Sequence, residues 1–162
     1  MERLWAPWRM RYIEGADSAI GCIFCSKPEE EKDEENLILW RGEKTFIILN
    51  AYPYANGHLM VTPYHHTADL DELNELEMLE MMSSTRLGVN LLKAAFKPDG
   101  FNIGINMGRV AGAGIADHVH IHIVPRWNGD TNFMPVLGDV RVIPESLSVV
   151  YGRLKAELEK TA

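Results

Sequence analysis

The sequence predicts an α+β domain in which an antiparallel sheet packs against one long helix and a C-terminal helix follows. Two observations lead to this class: several short strand-like stretches joined by short connections, and a single long stretch with helical periodicity between them. The 162 residues, 46% hydrophobic and 24% charged, suffice for one domain with its own core. We expect a single domain over residues 1–162, divided into an N-terminal arm (1–21), a motif-bearing core (22–130) and a C-terminal extension (131–162).

The predicted strands are short and are bounded by turn-forming residues. They cover residues 36–41, 44–50, 58–62, 101–107 and 117–124. A turn at Gly42 and Glu43 joins the first two strands, and Pro63 ends the third. A loop rich in glycine and alanine joins the last two.

The long helix is predicted over residues 69–97. Residues at a spacing of three to four are expected to share its buried face: Leu73, Leu76, Leu79, Ser83, Leu87, Leu91 and Ala94. Asp69 followed by Glu72 predicts a capping box at its start. The sequence Pro98-Asp99-Gly100 ends it, and Pro144 marks the first turn of a final helix that runs to about residue 160.

The charge pattern limits the classes of partner. The net charge is −7, of which the acidic run at 29–35 contributes −5, and such a run is usually a solvated loop. A nucleic-acid-binding protein would usually be basic, so we expect no nucleic-acid partner. No apolar stretch approaches the ~20 residues of a membrane helix, and the N-terminus does not resemble a secretory signal. These features predict a cytoplasmic protein without a membrane partner.

Cys22 and Cys25 are the two cysteines of the chain, and they form one C-x-x-C motif. Gly21 before the motif and Pro28 after it favour a turn, which is the usual setting for zinc ligands. A redox pair and two small buried residues are the alternatives. A zinc site would need two more ligands from elsewhere in the chain.

The most informative segment is His118-Val119-His120-Ile121-His122. In a strand, alternate residues point to the same side, so the three imidazoles would share one face and the aliphatic residues the other. Three of the six histidines in the chain lie in this segment, which indicates a function for them. A metal site and a phosphate-transfer site are the two candidates.

Further blocks around these histidines resemble the histidine triad superfamily of nucleotide hydrolases and transferases. One block before the triad contains Asn50, Pro53, Gly57, His58, Pro63 and His66, and another contains Asn106, Gly108, Ala111 and Gly112. The arm at 4–13 and the extension at 125–133 resemble one branch of the superfamily, the bacterial diadenosine tetraphosphate phosphorylases.

This resemblance implies roles for individual residues. His120 would be the nucleophile that attacks the α-phosphorus of a nucleotide. The implied substrate-binding residues are Asn50, Ile48, Met60, Asn106, Gly112, Gly114, His122 and Trp127. Arg126 is a further candidate for holding phosphate. His58 is expected to be structural.

The resemblance also implies the missing metal ligands. In zinc-containing relatives the C-x-x-C pairs with two histidines, here His66 and His118. The implied cofactor is one structural zinc per chain, with no organic cofactor. His65 is an alternative ligand to its neighbour.

The expected function is nucleotidyl transfer on a dinucleoside polyphosphate, with inorganic phosphate or water as acceptor. Phosphorolysis of diadenosine tetraphosphate to ADP and ATP is the first expectation, and hydrolysis of that substrate or of a nucleoside phosphoramidate is the alternative. A zinc-stabilised binding module and a metalloenzyme that uses all three histidines on one ion are two further hypotheses. We expect a homodimer or a higher homo-oligomer.

Overall fold

A computed structural model describes residues 21–131, 133, 135 and 142–160. The arm predicted at 1–21 therefore lies almost wholly outside the described residues. The strands are β1 (Ile38–Arg41), β2 (Thr45–Leu49), β3 (Leu59–Pro63), β4 (Gly100–Ile105) and β5 (Ile121–Arg126). The helices are α1 (Ile23–Glu29), α2 (Glu75–Phe96) and α3 (Leu147–Glu159), with short 3₁₀ turns at Leu70–Glu72 and Arg109–Ala111.

The strands form one antiparallel sheet in the order β1-β2-β3-β5-β4, which confirms the α+β prediction. Alternate strand residues enter two apolar clusters, one on each side of the sheet. The larger cluster joins the sheet to α2 and α3, and it includes Val119, Ile121 and Ile123. The smaller cluster lies on the other side and contains Phe24, Ile38, Phe46, Ile48 and Met60.

The long helix begins later than predicted. Asn74 and Glu77 form the capping box, each side chain bonding the backbone amide of the other residue, and α2 starts at Glu75. The predicted box at Asp69 does not form, because Glu72 accepts instead from the hydroxyl of Thr67. The segment in between is a 3₁₀ turn.

The buried face of α2 also differs from the predicted one. Leu76 and Leu79 are 64% and 63% exposed, whereas Ser84 and Gly88 face the sheet. A Cβ at Gly88 would lie 2.9 Å from Cδ1 of Ile123, so the small residue allows the helix to approach the sheet closely. Leu91 is buried as predicted, as is Leu73 just before α2, so the buried side combines two of the predicted leucines with small residues that the apolar pattern did not mark.

The triad segment is strand only from Ile121 onwards, not from residue 117 as predicted. The amide of Val119 donates to the carbonyl oxygen of Thr67, so the chain leaves the regular β3–β5 ladder here. The C-x-x-C motif is helical rather than a turn, with Cys22 at the N-cap of α1 and Cys25 in its first turn.

The two edges of the sheet differ. The hydroxyl of Tyr151 in α3 donates to the carbonyl oxygen of Ile38, so α3 covers β1. Strand β4 is the opposite edge, and several of its residues are exposed, including Ile103. Among the described residues, no helix combines the length and apolar character required to cross a membrane.

Candidate active site and metal centre

A row of four positions crosses the sheet on the face that carries the histidines. Ile48 pairs with Met60, and Met60 pairs with His122. His122 pairs in turn with Gly104 of β4. Directly paired residues point to the same face, so these positions are neighbours. Ile48 and Met60 are buried, whereas a Cβ at Gly104 would meet no atom within 4 Å. The row thus begins at two buried apolar residues and ends at open space beside His122.

Four side chains from three segments converge beside the first triad histidine: Cys22, Cys25, His66 and His118. One potential ligand atom from each lies within 4.8 Å of the others. Nδ1 of His118 lies 3.2 Å from Sγ of Cys22 and 3.2 Å from Nδ1 of His66. Two thiols and two imidazoles at this spacing match the donor set of a closed tetrahedral zinc site.

Hydrogen bonding orients the His118 ring for metal binding. Its Nε2 lies 2.9 Å from the carbonyl oxygen of Pro63, and a carbonyl can only accept, so Nε2 carries the proton. Nδ1 then presents its lone pair to the thiols. Burial lowers the pKa of His118, which favours the neutral ring that a metal requires. The residues present therefore fit a zinc ion.

His65, the alternative ligand, is directed elsewhere. Its Nδ1 lies 3.3 Å from a carboxylate oxygen of Glu77 at the start of α2. By contrast, Nδ1 of His66 lies 3.3 Å from Sγ of Cys25. Of the two adjacent histidines, His66 is the one that faces the thiols.

The cysteines lack the character of a redox pair. A reactive thiol in a C-x-x-C motif has a lowered pKa. Partial burial, together with the neighbouring Cys22, raises the pKa of Cys25 to about 11. Such a thiol stays protonated near neutral pH unless a cation displaces its proton. Both cysteines are also only partly buried, which disfavours a purely packing role.

His120 lies between the metal ligands and β5 and is buried. Its Nδ1 lies 2.8 Å from the carbonyl oxygen of His118, so Nδ1 carries the proton and donates it. The lone pair is then on Nε2. Burial lowers the pKa of His120, so its ring is neutral near pH 7. A neutral imidazole held through one nitrogen can act as a nucleophile through the other.

Phe24 lies between the two cysteines in sequence and packs beside His120. Its ring packs against His118 and His120, with centroid distances of 5.4 and 5.0 Å. It is 1% exposed. The helix that begins at the C-x-x-C motif therefore also packs against the His120 ring.

A chain of hydrogen bonds fixes the third triad histidine. The amide of Tyr54 donates to Nδ1 of His58 at 3.1 Å. The neutral His58 ring consequently carries its proton on Nε2, which lies 3.0 Å from Nδ1 of His122. His122 then accepts at Nδ1 and carries its own proton on Nε2. His58 therefore sets the donor direction of His122, which the sequence prediction of a structural histidine did not include.

Asn106 lies at the same end of the site, just after β4. Its Nδ2 is 3.5 Å from Nε2 of His122. With the His122 tautomer inferred above, both atoms carry hydrogen. Two donors this close are suited to sharing one anionic oxygen.

The glycine-containing loop after Asn106 is folded largely through its own backbone. The amide of Gly112 donates to the carbonyl oxygen of Arg109, and that of Ala113 to Gly108. The Gly112 amide thus has a partner within the turn, which differs from its predicted contact with phosphate. Gly114 follows this turn and remains the predicted backbone donor.

Three other residues predicted to contact the substrate or phosphate form hydrogen bonds to protein groups. Oδ1 of Asn50 accepts from the amide of Tyr52, so this side chain also caps its own turn. The indole of Trp127 donates to the carbonyl oxygen of Phe96 at the end of α2. Arg126 is bound to Asp130 and Asn102 on the surface of β5. Within this chain, neither Trp127 nor Arg126 has a described contact with the triad histidines.

Comparison with known proteins agrees with this geometry. The HIT domain family matches residues 31–129. The chain is 40% identical over 154 residues to AP-4-A phosphorylase of Mycobacterium tuberculosis, covering 91% of this chain and 79% of the relative. It is 27% identical over 147 residues to adenosine 5'-monophosphoramidase HNT1 of Candida albicans, covering 88% of this chain and 95% of that protein.

A solved structure shares the fold. A Zn-bound histidine triad family protein from Mycobacterium smegmatis has a TM-score of 0.70 at 28% identity, covering 91% of this chain and 97% of that one. The domain match, the relatives and the fold agree with the resemblance found in the motifs. The chain belongs to the HIT domain family.

Proposed function

We propose that the chain transfers a nucleotidyl group from a dinucleoside polyphosphate to inorganic phosphate, converting diadenosine tetraphosphate to ADP and ATP. The observation that carries this proposal is the state of His120, a buried neutral ring whose Nδ1 is held by a backbone carbonyl. The name of the 40% identical relative, AP-4-A phosphorylase, supports this choice of substrate and acceptor.

In the first step, Nε2 of His120 attacks the α-phosphorus. A nitrogen–phosphorus bond forms while the bond to the bridging oxygen breaks, and ATP leaves. The His118 carbonyl stabilises the positive charge that develops on the ring. Nε2–H of His122 and Nδ2–H of Asn106 donate to the phosphoryl oxygens as negative charge accumulates there. Ile48 and Met60 line the apolar side of the site, where they would pack against the base.

In the second step, an oxygen of inorganic phosphate attacks the same phosphorus. The nitrogen–phosphorus bond breaks, its electron pair returns to Nε2 of His120, and ADP leaves. If water attacks instead, the product is AMP. Water is present at about 55 M, so phosphate prevails only where the site holds it in position.

Hydrolysis remains a second candidate because of one specific observation. The Gly112 and Ala113 amides are bonded within their own turn, and Arg126 is bound to Asp130. The acceptor phosphate would therefore depend on Asn106 and Gly114. The Candida albicans relative, named a monophosphoramidase, is consistent with a site of this kind that uses water.

Product analysis with diadenosine tetraphosphate, in the presence and absence of phosphate, distinguishes the two reactions. With phosphate we expect ADP and ATP, and without it a sharp fall in turnover. ¹⁸O-labelled phosphate should place label in ADP. AMP and ATP as the main products, at an unchanged rate in saturating phosphate, would contradict phosphorolysis while leaving the role of His120 intact.

We further propose that Cys22, Cys25, His66 and His118 hold one structural zinc per chain. Their thiolates and neutral imidazoles would fill a tetrahedral site, and the ion would supply a cross-link between α1 and the segment before β5. Metal analysis of protein that was never exposed to a chelator should give one zinc per chain. A zinc-free preparation that is fully folded would contradict this proposal.

We propose that the chain forms a homo-oligomer through its exposed edge strand, through the exposed apolar residues of α2, or through both. The exposed β4 edge and the apolar face of α2, with Leu76, Leu79 and Met82 at its surface, provide unpaired backbone and apolar area. Sedimentation should show an oligomer that Leu79→Glu weakens. A monomer at micromolar concentration in the unmodified protein would contradict this expectation.

A further inference from the structure

The loop between β2 and β3 carries the start of the hydrogen-bond chain to His122. The Tyr54 amide in this loop donates to His58, and His58 bonds His122. A displacement of the loop backbone would remove the donor that fixes the His58 tautomer. The orientation of the donor on His122 thus depends on what holds the loop in place.

One contact that holds this loop comes from the C-terminal extension. Nδ2 of Asn56 donates to a carboxylate oxygen of Glu145 at 2.8 Å. Glu145 lies outside residues 31–129, the part of the chain that the HIT domain family matches. A segment beyond the matched domain therefore bonds the loop beside the triad.

Glu145 is itself held by Arg153 of α3, which also contacts the end of α2. Nη1 of Arg153 in α3 lies 2.6 Å from its second carboxylate oxygen. The same guanidinium donates to the carbonyl oxygen of Ala95 and lies 4.2 Å above the ring of Phe96, at the end of α2. The hydrogen bond from Asn56, together with Arg153, lowers the pKa of Glu145, so the carboxylate is ionised near neutral pH.

The loop end of this contact is buried and tightly packed. Asn56 is 9% exposed, and among the described residues its Oδ1 has no hydrogen-bond partner. Its bond to Glu145 is therefore the polar contact by which this buried side chain is fixed. The adjacent Gly57 has a positive φ of 76°, and a Cβ there would lie 2.8 Å from Cδ2 of Leu92. The loop has little room to shift without losing these contacts.

We propose that Glu145 is a positioning residue, which holds Asn56 and so keeps the loop that supports the His58–His122 hydrogen bond in place. The role of His122 as a phosphate donor rests on the proposed function, whereas the effect on the loop does not. The C-terminal extension then serves the nucleotide site of its own chain.

Hydrogen exchange tests this role without substrate. In the full-length protein, Glu145→Ala should speed exchange of the Tyr54 amide about tenfold or more, while amides in the β2–β3 ladder keep their protection. In the same variant, kcat for diadenosine tetraphosphate should fall about tenfold with KM nearly unchanged, because the lost donor orientation matters most in the transition state. Glu145→Gln keeps an acceptor oxygen and should restore most of both properties.

Glu157→Ala is the matched control, because Glu157 lies in α3, shortly after Glu145 in sequence, is exposed to a similar extent and pairs with Lys160 instead. It should leave both measurements unchanged. Asn56→Ala removes the same bond from the loop side and should reproduce the effect, including where Glu145→Ala does not fold. Unchanged Tyr54 exchange in either bond-removing variant, or an equal effect of Glu157→Ala, would overturn the proposal. Faster exchange in a protein that does not use diadenosine tetraphosphate would overturn only the proposed function.

Discussion

The two ends of the histidine triad are built from different kinds of contact. At the proposed metal end, Cys22 and His118 are 96 residues apart in sequence, yet their potential ligand atoms lie close together. At the proposed phosphate end, Tyr54 and His58 of the β2–β3 loop form a short chain of hydrogen bonds with His122 of β5. The first arrangement would join distant segments of the chain through a metal ion. The second determines which ring nitrogen of His122 carries the proton.

His118 also connects the metal end to the middle histidine, through a different atom. Its side chain faces the thiols, while its carbonyl oxygen holds Nδ1 of His120. Changes at the metal end should therefore affect stability first, and changes at the phosphate end should affect rate first. Four predictions test this division.

The largest expected effect is that of His120→Ala, which removes the proposed nucleophile. We expect kcat to fall by about 10³-fold or more, because the proposed covalent intermediate forms on this ring. Zinc content should remain, since the metal ligands are untouched. The measurement is single-turnover transfer from labelled diadenosine tetraphosphate to protein. A variant that retains more than a few per cent of the wild-type rate would rule out the covalent route.

Cys22→Ser should produce the largest loss of stability. Metal binding that occurs only in the folded state contributes directly to folding free energy. We expect zinc content to fall and Tm to drop by about 10 °C, which corresponds to roughly 3–5 kcal/mol for a domain of this size. His65→Ala is the control, because His65 faces Glu77 rather than the thiols and should leave both quantities unchanged. Equal losses in the two variants would contradict the ligand assignment.

His122→Ala should lower the rate and preserve the metal. Removing one donor to a developing oxyanion typically costs about 10²–10³-fold in kcat, so measurable activity should remain. Zinc content should stay at the wild-type level because His122 contacts His58 and not the ligands. Steady-state kinetics and metal analysis of one preparation check both statements. Loss of zinc in this variant would show that the two ends are not separable.

The smallest effect concerns pH. Burial lowers the pKa of His120 from the ordinary histidine value of about 6.5, so the neutral ring persists at and somewhat below that pH. The transfer rate should therefore be nearly constant from about pH 6.5 to about pH 8. The same lowered pKa makes stability depend on pH. The unfolded histidine takes up its proton at a higher pH than the folded one, so the free energy of unfolding declines as the pH falls from about 6.5 towards the lower folded pKa. A transfer rate that already falls by half at pH 7 would contradict the lowered pKa.

Much of the site could be predicted because its chemistry lies in local sequence patterns. The alternation around His120 places histidines on one face and aliphatic residues in the core, as the strand period requires, even though regular pairing begins only at Ile121. The metal ligand set followed from a resemblance, and the structure brings those four side chains together. The individual catalytic and binding roles remain predictions.

Other features depend on contacts that no local pattern encodes. The buried face of α2 is set by how closely Gly88 can approach Ile123, a property of the packed sheet. His58 gained its role only through pairing with His122, which lies 64 residues away. Trp127 is directed to the end of α2 by a carbonyl oxygen of Phe96, which sequence alone could not reveal.

The row that runs from Ile48 through Met60 and His122 to Gly104 also has a consequence for which substitutions the sheet can accommodate. Neighbouring positions are about 4.8 Å apart, and backbone pairing rather than side-chain contact fixes their register. A side chain at Gly104 would enter open space on the face that carries His122. Single substitutions at this edge position would therefore change the space beside His122. The bonds that hold His120 and His122 would stay as they are, because they are made on other segments.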